Sequence, residues 1–221
     1  MMTSDLSKVS HIIFDWDGTI MDSAGKIVNC MQKTAKKANL PIPTVKQVEH
    51  IIGISLLPAV QQLFGISVTK AQEVCGYYKQ IFIEQDQTPC PLFAGAHELL
   101  SVLAQNYTLG VATGKARRGL HRAFDSTNSA AYFSDSRCAD EAASKPSPDM
   151  LLQLLNKWQI EPYQAVMIGD TVYDMQMAEA IAMPRIGVSY GVHDKQAILQ
   201  HNPVHIVDDL SALHAIFIDS N

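Results

Sequence analysis

Apolar residues along this chain follow two different patterns. Short contiguous apolar runs at residues 9–14, 107–112, 165–168, 185–188 and 204–207 predict strands. The first of them, with Ile12, Ile13 and Phe14 in a row, is apolar at successive positions rather than at every second one, as in a strand buried on both faces. Between the runs, helical spacing predicts helices at 95–106, 115–125, 148–158, 172–181 and 195–201. Strands alternating with helices predict an α/β fold: a mainly parallel sheet with helices on both faces. Residues 130–141 fit neither pattern, and Tyr132-Phe133 reads as an edge strand or a loop.

After the first strand the alternation stops. Asp22 or Ser23 can cap a helix that reaches about residue 39, where Leu40-Pro41-Ile42-Pro43-Thr44 ends it. Helical patterns follow at 44–52, stopped by Gly53, then at 55–64 and 69–85, with no β-rich stretch between. Residues 22–88 therefore read as a small helical domain inserted into a core made of 1–21 and 89–221. Thr88-Pro89-Cys90-Pro91 is a stiff boundary, and hinges are expected near 21–23 and 88–92.

Composition narrows the function classes. With 221 residues, 47% of them apolar, the chain can bury a sizeable core. A net charge of −5 with scattered Lys and Arg argues against a nucleic-acid surface. Arg117, Arg118 and Arg122 read as one solvated helix face. Cys30, Cys75, Cys90 and Cys138 show no paired spacing and predict isolated thiols in a reduced compartment. No apolar run is long enough for a membrane span, and the N-terminus lacks a signal-peptide pattern. The expected location is the cytoplasm. The eight histidines show no ligand spacing and are given no role.

The chemistry lies where strands end. Ile12-Ile13-Phe14 breaks into Asp15-Trp16-Asp17-Gly18-Thr19; residues 109–112 end in Thr113-Gly114-Lys115; Lys145 precedes Pro146-Ser147-Pro148; residues 166–169 end in Asp170, with Asp174 four residues on. In an open α/β sheet these ends meet in one crevice. Four carboxylates there repel, by about 4 kcal/mol for a pair ~4 Å apart at an effective dielectric near ~20. Protons or a cation must relieve this, and an all-oxygen set suits a hard ion such as Mg²⁺. An acidic nucleophile, a hard cation, a Lys and a hydroxyl together make a phosphoryl-transfer site.

Asp15-x-Asp17-Gly18-Thr19, Thr113, Lys145 and Gly169-Asp170-x-x-x-Asp174 resemble the four ordered motifs of the haloacid dehalogenase-like hydrolase superfamily, and most resemble its phosphoglycolate-phosphatase-like branch. The resemblance implies a Rossmann-like core with an α-helical cap at 22–88. It makes Asp15 the nucleophile, carrying an aspartyl-phosphate, and Asp17 the general acid and then base. It gives the metal to Asp15, the backbone carbonyl of Asp17 and Asp170, with Asp174 supporting the metal shell through water. Thr113 and Lys145 would bind the phosphoryl group, with Gly18 and Gly114 as further substrate-binding candidates. Gly53-Ile54-Ser55 is either a helix–helix turn or, as in related capped enzymes, a loop over the site, so Gly53 and Ser55 are candidates too. The expected activity is Mg²⁺-dependent hydrolysis of small phosphate esters such as phosphoglycolate, by a monomer or homodimer.

Three other readings remain. A true haloacid dehalogenase needs no metal and lacks the second aspartate, so Asp17 argues against it. A phosphosugar mutase typically carries a His soon after the first motif, and here Ile27 lies in that neighbourhood, with no His between His11 and His50. A non-catalytic binding module need not keep the full acidic set. Trp16 is expected to pack beside the site without chemistry.

Overall fold

The structure, a computed structural model, describes residues 6–219. Six parallel strands form one sheet: β1 (His11–Phe14), β2 (Thr108–Thr113), β3 (Asp135–Cys138), β4 (Ala165–Gly169), β5 (Arg185–Val188) and β6 (His205–Val207), in the order β3-β2-β1-β4-β5-β6. The order reverses at β1, so a crevice opens between the carboxyl ends of β1 and β4.

Helices follow in sequence: α1 (Ala24–Lys37), α2 (Val45–Glu49), α3 (Leu56–Phe64), α4 (Val68–Gln80), α5 (Ala96–Asn106), α6 (Arg117–Thr127), α7 (Asp149–Trp158), α8 (Val172–Glu179), α9 (Lys195–Leu199) and α10 (Leu210–His214). Successive strand residues face opposite sides of the sheet, which explains the contiguous apolar runs. Ile12, Phe14, Val111 and Ile168 meet α5, α6 and α10 in one cluster, while Ile13, Ala112 and Met167 meet α7 and α8 in another. A third cluster, including Val28, Met31, Val48, Val60 and Val74, is drawn from α1–α4 and contains no sheet residue.

The chain crosses between sheet and inserted helices twice, and the two crossings are bonded together. Asp22 N donates to Pro91 O at 2.8 Å and Phe93 N to Ile20 O at 3.0 Å, with Met21 bridging Leu92 between them.

Several expectations change in detail. The edge strand lies at β3, not at Tyr132-Phe133, which falls at the end of a 3₁₀ turn. Its sequence Asp-Ser-Arg-Cys has no apolar run; only Ser136 and Cys138 are buried, in alternation, and Arg137 pairs with Asp135 at 2.8 Å. The last inserted helix ends at Gln80 and passes into a π-helical turn, Ile81–Gln85. Ser23 stands at the N-cap of α1 without capping it through its side chain. Arg117 leaves the solvated face to pair with Glu141 at 2.6 Å and to donate to Ser136, whereas Arg118 and Arg122 are exposed. The α10 segment, unassigned by pattern, buries Leu210 and Leu213 in the first cluster. The four cysteines are free, and no helix among the described residues is long and apolar enough to cross a membrane.

Candidate active site

The crevice is built where β1 and β4 run side by side, with Phe14 beside Ile168. Asp15 N donates to Ile168 O at 2.9 Å, so the residue that ends β1 stays registered against β4. Asp170 follows one residue after β4, and Asp174 lies in the first turn of α8. Asp15, Asp170 and Asp174 are buried, and one oxygen of each lies within 4.8 Å of the others. Asp174 therefore faces the crevice and not solvent, as its expected place beside the metal shell requires.

Lys145 enters this acidic group fully buried. Its Nζ lies 2.8 Å from Asp15 Oδ1 and 2.6 Å from Asp174 Oδ1. Burial alone would pull the ammonium's pKa down, but the two carboxylates outweigh it and raise it. Asp15 is pushed well above the usual carboxylate range, first by burial, against Lys145, and further by Asp174 and Asp170. Burial, with Asp174 adding to it, pushes Asp170 up to about 7.

Every other carboxylate oxygen of this group has a donor, except one. Asp15 Oδ1 also accepts from Trp16 N at 2.7 Å. Asp170 Oδ1 accepts from Thr19 Oγ1 at 2.8 Å, and Oδ2 from Val192 N at 2.9 Å. Asp174 Oδ2 accepts from Thr171 N at 3.1 Å and Thr171 Oγ1 at 2.7 Å, in a reciprocal capping box. Asp15 Oδ2 is buried with no partner. Three converging carboxylates, two of them raised, and one orphaned oxygen fit a hard dication such as Mg²⁺. The carboxylate of Asp17 is outside this group, which is compatible with the backbone-carbonyl contribution that the resemblance implies.

The packing around Asp170 leaves no room for side chains at two glycines. A Cβ on Gly18, whose φ is +83°, would lie 2.2 Å from Asp170 Oδ2, and a Cβ on Gly191 would lie 2.1 Å from Asp170 Cβ. Gly18 thus serves the acidic group by close approach.

Asp17 points to a different set. Its Oδ1 accepts from Ser23 Oγ at 2.5 Å and pairs with Lys115 Nζ at 2.9 Å. Thr113 is buried at the end of β2, and its Oγ1 accepts from Lys115 N at 3.2 Å. Gly114 meets the inserted helices: a Cβ there would lie 2.5 Å from Gly53 O. Ser55 N donates to Ser144 Oγ at 2.9 Å, next to Lys145, while Ser55 Oγ is buried without a partner. The Gly53–Ser55 turn therefore lies against the strand ends.

Pattern reading missed several residues of this site. Ser23 reads as an ordinary N-cap, and Thr19, although inside the first motif, carries no signal for its bond to Asp170. The 189–193 segment follows β5 and reaches Asp170 only because β5 adjoins β4. His50 and His193, 143 positions apart in the numbering, stack at 5.7 Å beside Tyr173, joining the inserted helices to the core. His193 Nδ1 accepts from Val172 N at 3.1 Å, and its pKa is lowered by burial and by His50.

Known proteins resemble the chain over nearly its whole length. The chain is 30% identical to a 5′-nucleotidase from Pseudomonas aeruginosa over 212 residues, covering 93% of this chain and 94% of the relative. It is 31% identical to a phosphoglycolate phosphatase from Psychrobacter arcticus over 215 residues, covering 91% and 93%. The crystal structure of a predicted phosphatase from Clostridium acetobutylicum superposes with a TM-score of 0.86 at 24% identity, covering 96% of this chain and 99% of that one. The haloacid dehalogenase-like hydrolase family matches residues 12–188, from inside β1 to the end of β5, and the chain belongs to that family.

Proposed function

We propose that this haloacid dehalogenase-like phosphatase hydrolyses small phosphate monoesters, phosphoglycolate first among them, through a phosphoryl group held transiently on Asp15. The observation that carries the reading is the Asp15 carboxylate: one oxygen held by Lys145 and Trp16 N, the other buried and unpartnered beside Asp170 and Asp174. A carboxylate fixed in this way is oriented for attack.

Asp15 attacks phosphorus and displaces the alcohol, to which Asp17 gives a proton. Asp17 then takes a proton from the water that attacks the aspartyl-phosphate, and Asp15 is regenerated. Lys145 holds Asp15 in place and, with the Thr113 hydroxyl, faces the transferring phosphoryl group. Asp15, Asp170 and the backbone carbonyl of Asp17 would hold Mg²⁺, with Asp174 supporting them. When bound, such an ion offsets charge on the carboxylates and on the phosphoryl oxygens.

Residues 22–88 act as a cap on a core of 1–21 and 89–221. The separate apolar cluster of α1–α4 and the paired crossings support this division. Gly53 and Ser55 lie over the strand ends, where a closed cap excludes water during the first transfer.

The test is phosphate release from phosphoglycolate, a nucleoside 5′-monophosphate, a sugar phosphate and an aryl phosphate, with Mg²⁺ and with EDTA. Turnover is expected with Mg²⁺, highest in kcat/KM for phosphoglycolate, and is expected to vanish in EDTA and in Asp15→Asn. Wild-type-like turnover by a folded Asp15→Asn protein, or no release from any ester, would refute the assignment.

A further inference from the structure

Asp17 is gripped by one oxygen only. Ser23 Oγ, at 2.5 Å, and Lys115 Nζ, at 2.9 Å, both reach Oδ1, while Oδ2 has no partner among the described residues. An oxygen already accepting from two donors is a poor place for a further proton, so Oδ2 is the atom that carries it.

Both donors are tied to the inserted helices. Ser23 stands at the N-cap of α1, where its hydroxyl could cap the helix; the bond to Asp17 takes that place. Lys115 belongs to the core, but its Nζ lies 5.5 Å from the centroid of the Phe82 ring. Phe82 comes from the π-helical turn at the far end of the insert, a rare geometry that often marks functional positions. The same ring has Lys26 Nζ 4.8 Å from its centroid and packs against Tyr78 at 5.7 Å. The Lys115 stem is confined as well: its N donates to Thr113 Oγ1, and a Cβ on Gly119 would lie 2.9 Å from its Cγ.

We propose that Lys115 is a positioning residue for Asp17, and that Phe82 makes this positioning depend on the inserted helices being seated. The two ends of the insert, at Ser23 and Phe82, thus bracket the acid. With the helices displaced, the ammonium loses the ring, gains water and recovers its rotamer freedom, and Asp17 loses its fixed orientation. The inference rests on Asp17 being the acid and base of the proposed phosphatase reaction.

In the first half, the Asp15 oxygen–phosphorus bond forms as the ester P–O bond breaks, and the proton on Asp17 Oδ2 passes to the leaving oxygen. In the second half, water oxygen bonds to phosphorus, its proton passes to Oδ2, and the Asp15–phosphorus bond breaks. Lys115 and Ser23 hold Oδ1 throughout and give up no proton.

Leaving groups that need protonation provide the test. Lys115→Met keeps an apolar stem against Phe82, and Phe82→Leu keeps bulk without the ring. Their kcat/KM values are compared with wild type, with Mg²⁺, on an alkyl phosphate and on p-nitrophenyl phosphate, whose leaving group departs without a proton. Both variants are expected to lose about tenfold or more in kcat/KM on the alkyl ester and about threefold or less on the aryl ester, since kcat/KM ends at departure of the leaving group, before the water step that both esters share. Lys115→Arg, which keeps charge and the stacking on Phe82, is expected to recover part of the alkyl activity. Equal losses on the two esters, or no loss on either, would overturn the proposal. Absence of wild-type turnover on both esters would instead overturn the phosphatase reading beneath it.

Discussion

Lys145 decides the electrostatics of the crevice. A buried ammonium between Asp15 and Asp174 satisfies three charges at once, and taking it away leaves two carboxylates uncompensated in a dry site. Lys145→Met is expected to cost about 3–5 kcal/mol at neutral pH without metal, read from urea unfolding. A loss under about 1 kcal/mol would mean that the pair is solvated. Gly191 acts on the neighbouring carboxylate by shape alone. Its missing side chain lets Asp170 approach, so Gly191→Ala is expected to weaken Mg²⁺ binding about tenfold or more in a calorimetric titration. Unchanged affinity would show that the 189–193 segment yields freely.

The chain crosses between the sheet and the inserted helices twice, and Asp86 ties the second crossing to α1. It is buried, accepts from Thr88 N at 2.9 Å and pairs with Lys33 Nζ at 2.6 Å, while Lys26 Nζ donates to its backbone carbonyl at 2.9 Å. Burial would raise the Asp86 pKa, but the bonds from Lys33 and Thr88 prevail and lower it to about 2. A carboxyl depressed in the folded state adds stability above its unfolded pKa, and that stability is lost as pH falls through about 2. Asp86→Asn is therefore expected to melt below wild type at pH ~7, with the two curves converging between pH ~4 and ~2. A gap that persists at pH ~2 would assign the effect to packing rather than charge.

For the molecule as a whole, the three carboxylates gathered in the crevice are a cost to folding that a bound cation would relieve. Asp170, raised to about 7, contributes stability that is complete below its unfolded pKa and is lost as pH rises through about 7. Mg²⁺ at this site would bind the deprotonated form and drive out protons. Its stabilisation is therefore expected to be larger at pH ~8 than at pH ~5, measured as the shift in Tm with and without the ion. Equal shifts at both values would separate metal binding from these carboxylates.

Pattern alone determined the parallel α/β core, the run of helices between β1 and β2 and the acidic motifs, because burial on both faces leaves contiguous apolar runs and because acidic residues recur where those runs end. It left β3 unplaced, with Tyr132-Phe133 open between edge strand and loop, and left α10 unassigned, since a polar edge strand and a five-residue helix take their stability from neighbours rather than from local period. Only the tertiary structure decided how the polar residues are shared out. Ser23 and Lys115 belong to Asp17; Thr19, Gly191 and Val192 belong to Asp170; and His50 meets His193. Each of these pairings joins segments whose proximity is set by strand order and helix packing, which the period of a single segment does not encode.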